Sequence, residues 1–443
     1  MARPPADRLE SWKEIAAFIG RDERTAMRWA KGHGMPVRRA PGHSKGRVYA
    51  SRGEISRWLE GQAQESPGAE AAVAAARPRK IWVISSGVIG MSLLALLLAW
   101  SSIVARPRRA VRVGFSDDSV EIWDGAGRKL WTHQFPRPFE ERLIPSYRSL
   151  TSLAHFVDLE RGREREVIVA APFSEGANLQ DPFHIEVDAF SSAGKLLWSY
   201  IPNESFQFGS NRIGGGWQIF DLRVSRESAR PVIWAAFDAA TWGNSFVVEL
   251  DARTGGHTVK FVNTGILYSL GELKTTRGAY LLIGGFNNEQ DGGSLAIMDE
   301  RKAFAASPQT RGTRHECVSC PAGAPDVYLV FPRSELNVIK NVYPTPVTLI
   351  EANGGEIQIS KNELGGGSAA RAIYLLRTEP SFQIVSVRFD TDYDQMHHEL
   401  ERAGALRHTI DDCPERLEPK PVRMWTPAGG WTELRVPATA AHR

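Results

Sequence analysis

His315-x-Cys317-x-x-Cys320 sets an imidazole beside two thiols, donor types that suit a borderline-soft metal such as zinc. A four-ligand site would need further donors, and Cys413 with the His397-His398 pair would have to converge on them. The alternative is a disulfide between two of the three cysteines with one thiol left over, the preferred reading for an oxidising compartment. Asp390-x-Asp392-x-Asp394 offers three carboxylates at calcium-like spacing, with Glu401 in the twelfth position of such a loop. Gln395 stands where an EF-hand needs Gly, so a solvated strand end or loop is the better reading. No G-x-S-x-G, H-E-x-x-H or Gly-rich phosphate loop occurs. The expectation is therefore no enzyme, with no catalytic residue, no metal and no cofactor.

These groups need elements to hold them. At 443 residues the chain is long enough for two or three domains. With 42% hydrophobic and 24% charged residues its bulk is globular rather than disordered, and 40 Gly with 26 Pro imply many turns, hence β structure. Charge is uneven. Residues 1–80 carry 16 Lys/Arg against 9 Asp/Glu, a balance of +7, and the remainder carries 38 against 42, a balance of −4. The basic part is the N-terminus, as a polyanion-binding module requires.

Ile81 to Ala105, IWVISSGVIGMSLLALLLAWSSIVA, is an uncharged run of 25 residues, where a bilayer core needs roughly 20 in a helix. A transmembrane helix is expected there. It begins too far into the chain, and is too long, for a signal-peptide core. Arg77, Arg79 and Lys80 on one side balance Arg106, Arg108 and Arg109 on the other, so local charge leaves the orientation open. The expected domains are 1–63, a DNA-binding domain; 64–80, a linker; 81–105, the span; and 106–443, a large all-β domain outside the cytoplasm.

Ser11-x-x-Glu14 has capping-box spacing and predicts a helix from Trp12, with Ile15, Ala16, Phe18 and Ile19 as its apolar face and Gly20 in the turn that follows. Asp22 is placed to cap a second helix, Glu23 to Lys31, which sets Ala26, Trp29 and Ala30 inward and Arg24, Thr25 and Arg28 outward. Two β-prone pieces, 37–39 and 47–50, flank a Pro-Gly-His-Ser-Lys-Gly turn, and a third helix follows Ser51. Helix, Gly turn, cationic helix and basic hairpin read as a small α+β winged helix-turn-helix. Over about residues 9 to 60 the module resembles the excisionase and MerR-type family, through W-x-E-I-A-x-x-[IL]-G, T-x-x-R-W and R-V-Y-A. The resemblance implies a second helix in the major groove, with Arg24, Thr25 and Arg28 closest to bases and Arg21 also among the DNA-binding residues, and a wing whose Arg38, Arg39, Lys45 and Arg47 straddle phosphates.

Beyond the span, VEIWDGAGRKLW (120 to 131) and VDAFSSAGKLLW (187 to 198) share a strand, Gly turn, strand pattern, with looser relatives at 248 to 261, 348 to 359 and 422 to 434. A second set of strand pairs lies at 155 to 171, 218 to 236 and 268 to 285. Paired, the two sets give four-stranded units of the kind found in propeller blades, and over about residues 110 to 440 the chain resembles β-propellers of the FG-GAP and quinoprotein-like kinds. The last hairpin resembles the first, which is compatible with ring closure between the ends. The loops 158–166 and 221–228 stand where FG-GAP repeats carry calcium, but they are basic and lack the Asp-x-Asp ladder.

The expected whole is a multi-domain chain: winged helix-turn-helix, single transmembrane helix and large all-β propeller-like domain. Its expected function is that of a membrane-anchored DNA-binding transcriptional regulator in the bacterial inner membrane, N-terminus cytoplasmic, with an outer sensor or interaction domain. Its expected partners are double-stranded DNA, the membrane, an outer ligand or protein and, as an option, a second copy in a homodimer. The rival is a membrane-anchored propeller scaffold binding carbohydrate or protein, with the N-terminal module as an interaction anchor.

Overall fold

The computed structural model describes residues 7–39, 48–64, 109–141, 144, 148–159, 165–174, 183–225, 230–239, 243–364 and 370–438. It divides into two compact units, Met1–Ser101 and Ser102–Arg443.

In the first unit β1 (Arg8–Leu9) precedes helix α1 (Trp12–Phe18), α2 (Glu23–Gly32), β2 (Arg38–Arg39), β3 (Val48–Ser51) and α3 (Arg52–Gln64). The Ser11 hydroxyl accepts from the Glu14 amide at 3.2 Å, while the Glu14 carboxylate accepts from Glu10 at 2.9 Å, one residue before the cap. Asp22 caps α2 by accepting from the Thr25 amide at 2.9 Å. The strands form one sheet in the order β1-β3-β2 around Leu9, Ile15, Ala26, Met35, Val48 and Ile55. Trp29 and Trp58 close the edge of this core, 5.8 Å apart between ring centres, and the Trp58 indole donates to the His33 carbonyl. β1 is the one element the sequence pattern does not announce, being only two residues long.

The second unit is built from successive antiparallel sheets. The first contains β4 (Ala110–Phe115), β5 (Ser119–Asp124) and β6 (Lys129–Gln134); the second β7 (Ala154–Val157), β8 (Glu166–Ser174), β9 (Phe183–Phe190) and β10 (Leu196–Tyr200). After a hairpin of β11 (Ser205–Phe208) and β12 (Asn211–Gly214), the third sheet contains β13 (Trp217–Val224), β14 (Val232–Ala239), β15 (Ser245–Asp251) and β16 (His257–Asn263). The fourth contains β17 (Leu267–Thr275), β18 (Gly278–Asn287), β19 (Gly292–Asp299) and, beyond the short β20 (Ala305–Ala306), β21 (Val327–Phe331). β20 itself adds in parallel to β16. The fifth contains β22 (Val347–Asn353), β23 (Glu356–Asn362), β24 (Arg371–Arg377) and β25 (Gln383–Phe389).

Each sheet packs on the next through its own apolar layer, and strand periodicity explains how one strand serves two layers. β14 is buried along its whole length. Its Ile233, Ala235 and Phe237 join the layer toward the second sheet, whereas Val232, Trp234 and Ala236 join the layer toward the fourth. One contact recurs between sheets. The Trp131 indole of β6 donates to the Ser192 carbonyl and lies against Gly194 of the next sheet's turn; the Trp198 indole of β10 donates to Ala252 and lies against Gly255. Both glycines have positive φ, +82° and +71°, and a Cβ on either would stand 2.8 Å from the indole.

Near the N-terminal strands of the sheets, the buried Asp221 carboxylate binds Arg148 at 2.9 Å and Arg223 at 3.3 Å, and accepts from the amides of Leu222 at 3.0 Å and Leu270 at 2.8 Å. Asp221, which opens the 221–228 stretch, is thus a link between the third and fourth sheets rather than a calcium ligand.

The expected three-part fold class is corrected. The chain is mostly β in two units, and among the described residues no helix is long and apolar enough to cross a membrane. The expected span 81–105 and the linker from 65 to 80 lie outside the described residues. Of the expected second domain only the propeller-like β character is compatible with the sheets. The last hairpin, β26 (Val422–Thr426) and β27 (Gly430–Leu434), does not close onto the first sheet: it extends the fourth, pairing Tyr328 with Trp425 and Val330 with Arg423. Burial of Val422 and Val436 in the layer between the fourth and fifth sheets supplies the reason.

Two expected outcomes follow from this packing. Gly255→Ala combines an unfavourable φ with an indole overlap and should destabilise the second unit by about 2–4 kcal/mol in urea titration, whereas Gly127→Ala, with no atom within 4 Å of the added Cβ, should show only the backbone part. Asp188, 2% exposed on β9, has its carboxyl pushed up to about 7 by burial. The unfolded carboxyl ionises near 4, so between about pH 4 and 7 the folded chain holds the extra proton and stability falls as pH rises. Asp188→Asn should flatten that fall, raising stability relative to wild type at about pH 8 and not at about pH 4, as read from denaturation midpoints.

Candidate metal centre

Three donors of two kinds meet at one corner of the second unit: His397, His408 and Cys413 have ligand atoms all within 4.8 Å of one another. Helix α4 (Glu335–Lys340), α5 (Thr391–Arg402) and the single turn α6 (Pro414–Leu417) build this corner. Asp390 caps α5 by accepting from the Tyr393 amide at 2.9 Å and also accepts from Arg371. Asp392 and Asp394 complement the positive end of the helix in its first turn. The acidic ladder is therefore a helix start rather than a strand end or a calcium loop, and Asp394 pairs with Arg416. Tyr393, His397 and Leu400 fall on one buried stripe of α5, which packs against Leu336, Ala370 and Leu406.

The stripe points His397 inward, fully buried. Its Nδ1 lies 2.8 Å from Oε1 of Glu401, one turn on, whose other oxygen is 3.3 Å from Nδ1 of His398. A carboxylate on Nδ1 selects the tautomer that leaves the Nε2 lone pair facing the corner. Gly404, at φ +66°, ends the helix, and Ala405 and Leu406 both donate to Leu400, which turns the chain back. His408 then reaches Nε2 to Nε2 of His397 at 3.2 Å. A Thr409-to-Asp412 turn carries the chain to Cys413, 1% exposed, at the start of α6.

A fourth donor stands on α4. Oε2 of Glu335 lies 3.7 Å from Nε2 of His408, and the Glu335 amide donates to Glu415 at 2.6 Å, two residues past Cys413. Glu415 also accepts from the Tyr393 hydroxyl. Burial pushes the Cys413 thiol and the Glu415 carboxyl up and the His397 imidazole down. Burial thus favours the neutral forms of Cys413 and His397. In a tetrahedral zinc site with Zn–N near 2.0–2.1 Å, neighbouring nitrogens sit about 3.3 Å apart. The observed 3.2 Å between the two imidazoles matches that edge.

Sequence spacing missed this centre by joining the wrong partners. Cys413 and His397 do converge, but on His408 rather than on the 315–320 loop. There Cys317 and Cys320 are bonded to each other, Cα atoms 5.4 Å apart, leaving Cys413 as the free thiol. The signal available was a histidine on the buried face of an amphipathic helix, followed past a glycine stop by a second histidine and a cysteine.

The residues expected to meet DNA are placed as follows. Arg21, Arg24 and Arg28 are exposed at α2 and the turn before it. Thr25 is half-buried and bound to Asp22 through both its amide and its hydroxyl. Arg38 pairs with Glu54 at 2.8 Å. Arg39 lies in β2, and nothing is described of its side chain; Lys45 and Arg47 lie outside the described residues.

No protein-family model and no curated protein matches the chain. Among solved structures it is similar to an apocarotenoid oxygenase (ACO)/RPE65 chimera, at 7% identity and a TM-score of 0.29, over 62% of this chain and 58% of that one. It is also similar to a Synechocystis apocarotenoid oxygenase mutant, at 6% identity and a TM-score of 0.29, over 64% and 59%. The chain thus spans less than two thirds of either neighbour's length, and a likeness at this level assigns no activity. The expected excisionase or MerR-type membership is withdrawn, and with it the regulator and its rival scaffold. The expected partners (double-stranded DNA, membrane, outer ligand and homodimer), the inner-membrane placement and the classing as a non-enzyme are withdrawn as well. A cationic helix face and Gly-turn hairpins are local patterns that unrelated chains share, and function resides in sites rather than in such patterns.

Proposed function

We propose that the chain is a zinc-binding protein whose metal is held by His397, His408 and Cys413, with Glu335 as the fourth ligand. The observation that carries this reading is the convergence of two imidazoles and a buried thiol within 4.8 Å, with the His397 ring oriented by Glu401. Two nitrogens, one sulfur and one oxygen suit tetrahedral zinc, a d10 ion with no geometric demand of its own. The ligands come from α4, α5 and the chain beyond Gly404, so the ion adds to the apolar cluster and to the Glu415 and Asp394–Arg416 contacts that already join these segments. Four protein ligands make the site a closed, structural one. Binding requires Cys413 to lose its proton and stabilises the folded chain by mass action.

Reconstituted full-length protein should hold one zinc per chain by elemental analysis. Free zinc at about a hundred times Kd should stabilise it by about 2.7 kcal/mol over the chelated form. Cys413→Ser and His408→Ala should each lose stoichiometric zinc while keeping the β circular-dichroism spectrum, and cobalt in the wild type should show a thiolate charge-transfer band that Cys413→Ser lacks. Glu335→Ala should weaken zinc binding while keeping the band. Wild-type protein that takes up no zinc, or Cys413→Ser with undiminished zinc, refutes the proposal.

A further inference from the structure

A cavity remote in sequence from the metal ligands has a lining that selects by charge. It measures about 350 Å³ and is lined by Phe208, Asn211, Ile213, Asn244, Asn288, Arg314, His315 and Tyr343. The volume falls in the range of small-ligand sites. One guanidinium, one imidazole, three carboxamides and a phenol face it, and among the described residues no carboxylate does.

Of the neighbouring acids none lines the cavity among the described residues: Glu289 lies close enough to act on His315, and the others are held by their own partners. Glu289 accepts from the Thr310 amide at 3.0 Å, Glu316 accepts from the Gly312 amide at 2.6 Å, and Asp291 pairs with Arg333 at 3.2 Å. Arg314 donates through Nε to Nε2 of His315 at 3.2 Å, and among the described residues no ion pair is formed by its guanidinium. The His315 ring is held in turn by Thr264 at 3.1 Å, and Asn288 is fixed between Gly243 and the Tyr343 hydroxyl. The cationic wall is thus positioned, and its charge is not neutralised within the cavity.

The segment that carries Arg314 and His315 is built to stay there. It runs beside β11: Gly209 donates to Glu316 and Val318 to Gln207, both at 2.8 Å, and the Gln207 amide donates to the Ser319 hydroxyl. Gly209, at φ +51°, permits the approach, since a Cβ there would stand 2.8 Å from Cα of Arg314. The Cys317–Cys320 disulfide closes the segment immediately after His315 and Glu316.

We infer that this cavity binds a small organic carboxylate, with Arg314 as its counter-ion and the Asn244 and Asn288 carboxamides as its polar contacts, and that the Cys317–Cys320 disulfide holds the cationic wall in register. A guanidinium fork matches a planar carboxylate in two parallel hydrogen bonds, and a carboxylate-free lining spares the ligand any like-charge repulsion.

The test is calorimetric titration of the full-length chain with succinate, inorganic phosphate and uncharged succinamide. Saturable succinate binding is expected, weakened at least about tenfold in Arg314→Ala, partly restored in Arg314→Lys and unchanged in the control Arg311→Ala. Succinamide should bind at least about tenfold more weakly. Both arginines are exposed, so the variants should keep the wild-type melting curve. Reducing the disulfide should weaken succinate binding at least about threefold. No saturable binding, or equal affinity in wild type and Arg314→Ala, overturns the site. Phosphate binding without succinate binding overturns the carboxylate assignment, and indifference to reduction overturns the role given to the disulfide.

Discussion

The second unit depends on one contact made twice, an indole laid on a glycine of the next sheet's turn. Trp131 on Gly194 and Trp198 on Gly255 each combine a buried aromatic surface with an N–H···O bond to a carbonyl of the following sheet, at 3.0 Å in both cases. The hydrogen bond removes the desolvation cost of the indole N–H, and the absence of a Cβ lets the ring close on the backbone. Together they fix how the first sheet meets the second and the second meets the third. Asp221 works similarly at the other end of the third and fourth sheets, where two guanidinium groups and two amides compensate a carboxylate that is 1% exposed.

Against this β framework the helical corner obeys a different rule. Its apolar cluster is small, centred on Leu336, Tyr393, Leu400 and Leu406, and it surrounds an unusual density of polar groups. Lys361 and Glu363 form an ion pair 2.7 Å apart that is essentially excluded from solvent, and Glu415 bridges Tyr393 and the Glu335 amide nearby. Buried polar groups of this kind contribute specificity of arrangement more than net stability, which is the setting in which a bound ion contributes most.

The metal corner and the Arg314 cavity are held by opposite means. At the metal corner, three segments approach one another and a cation would join them; at the Arg314 cavity a covalent bond and a backbone ladder already hold the wall, and an anion would complete its charge. Cysteine chemistry separates them. The bonded pair Cys317–Cys320 is structural support for one site, and the remaining thiol is a ligand in the other.

The sequence by itself determined the local elements. Period-two alternation around Gly127, Gly194, Gly255 and Gly430 marks hairpins because a tight turn needs a residue that adopts positive φ, and Ser11 and Asp22 mark helix starts because their side chains satisfy first-turn amides, whereas the same role of Asp390 went unread. It did not determine what those elements meet. That the last hairpin joins β21 rather than the first sheet was decided by burial of Val422 in the layer between the fourth and fifth sheets, a contact some ninety residues away in the chain. The convergence of His397, His408 and Cys413, and the commitment of Asp221 to a structural link, were likewise decided by tertiary packing. The basic N-terminal pattern showed a helix and a hairpin but not a partner. Charge and periodicity act between near neighbours along the chain, whereas ligand geometry, pairing of cysteines and choice of sheet partner depend on distances that exist only once the whole unit has folded.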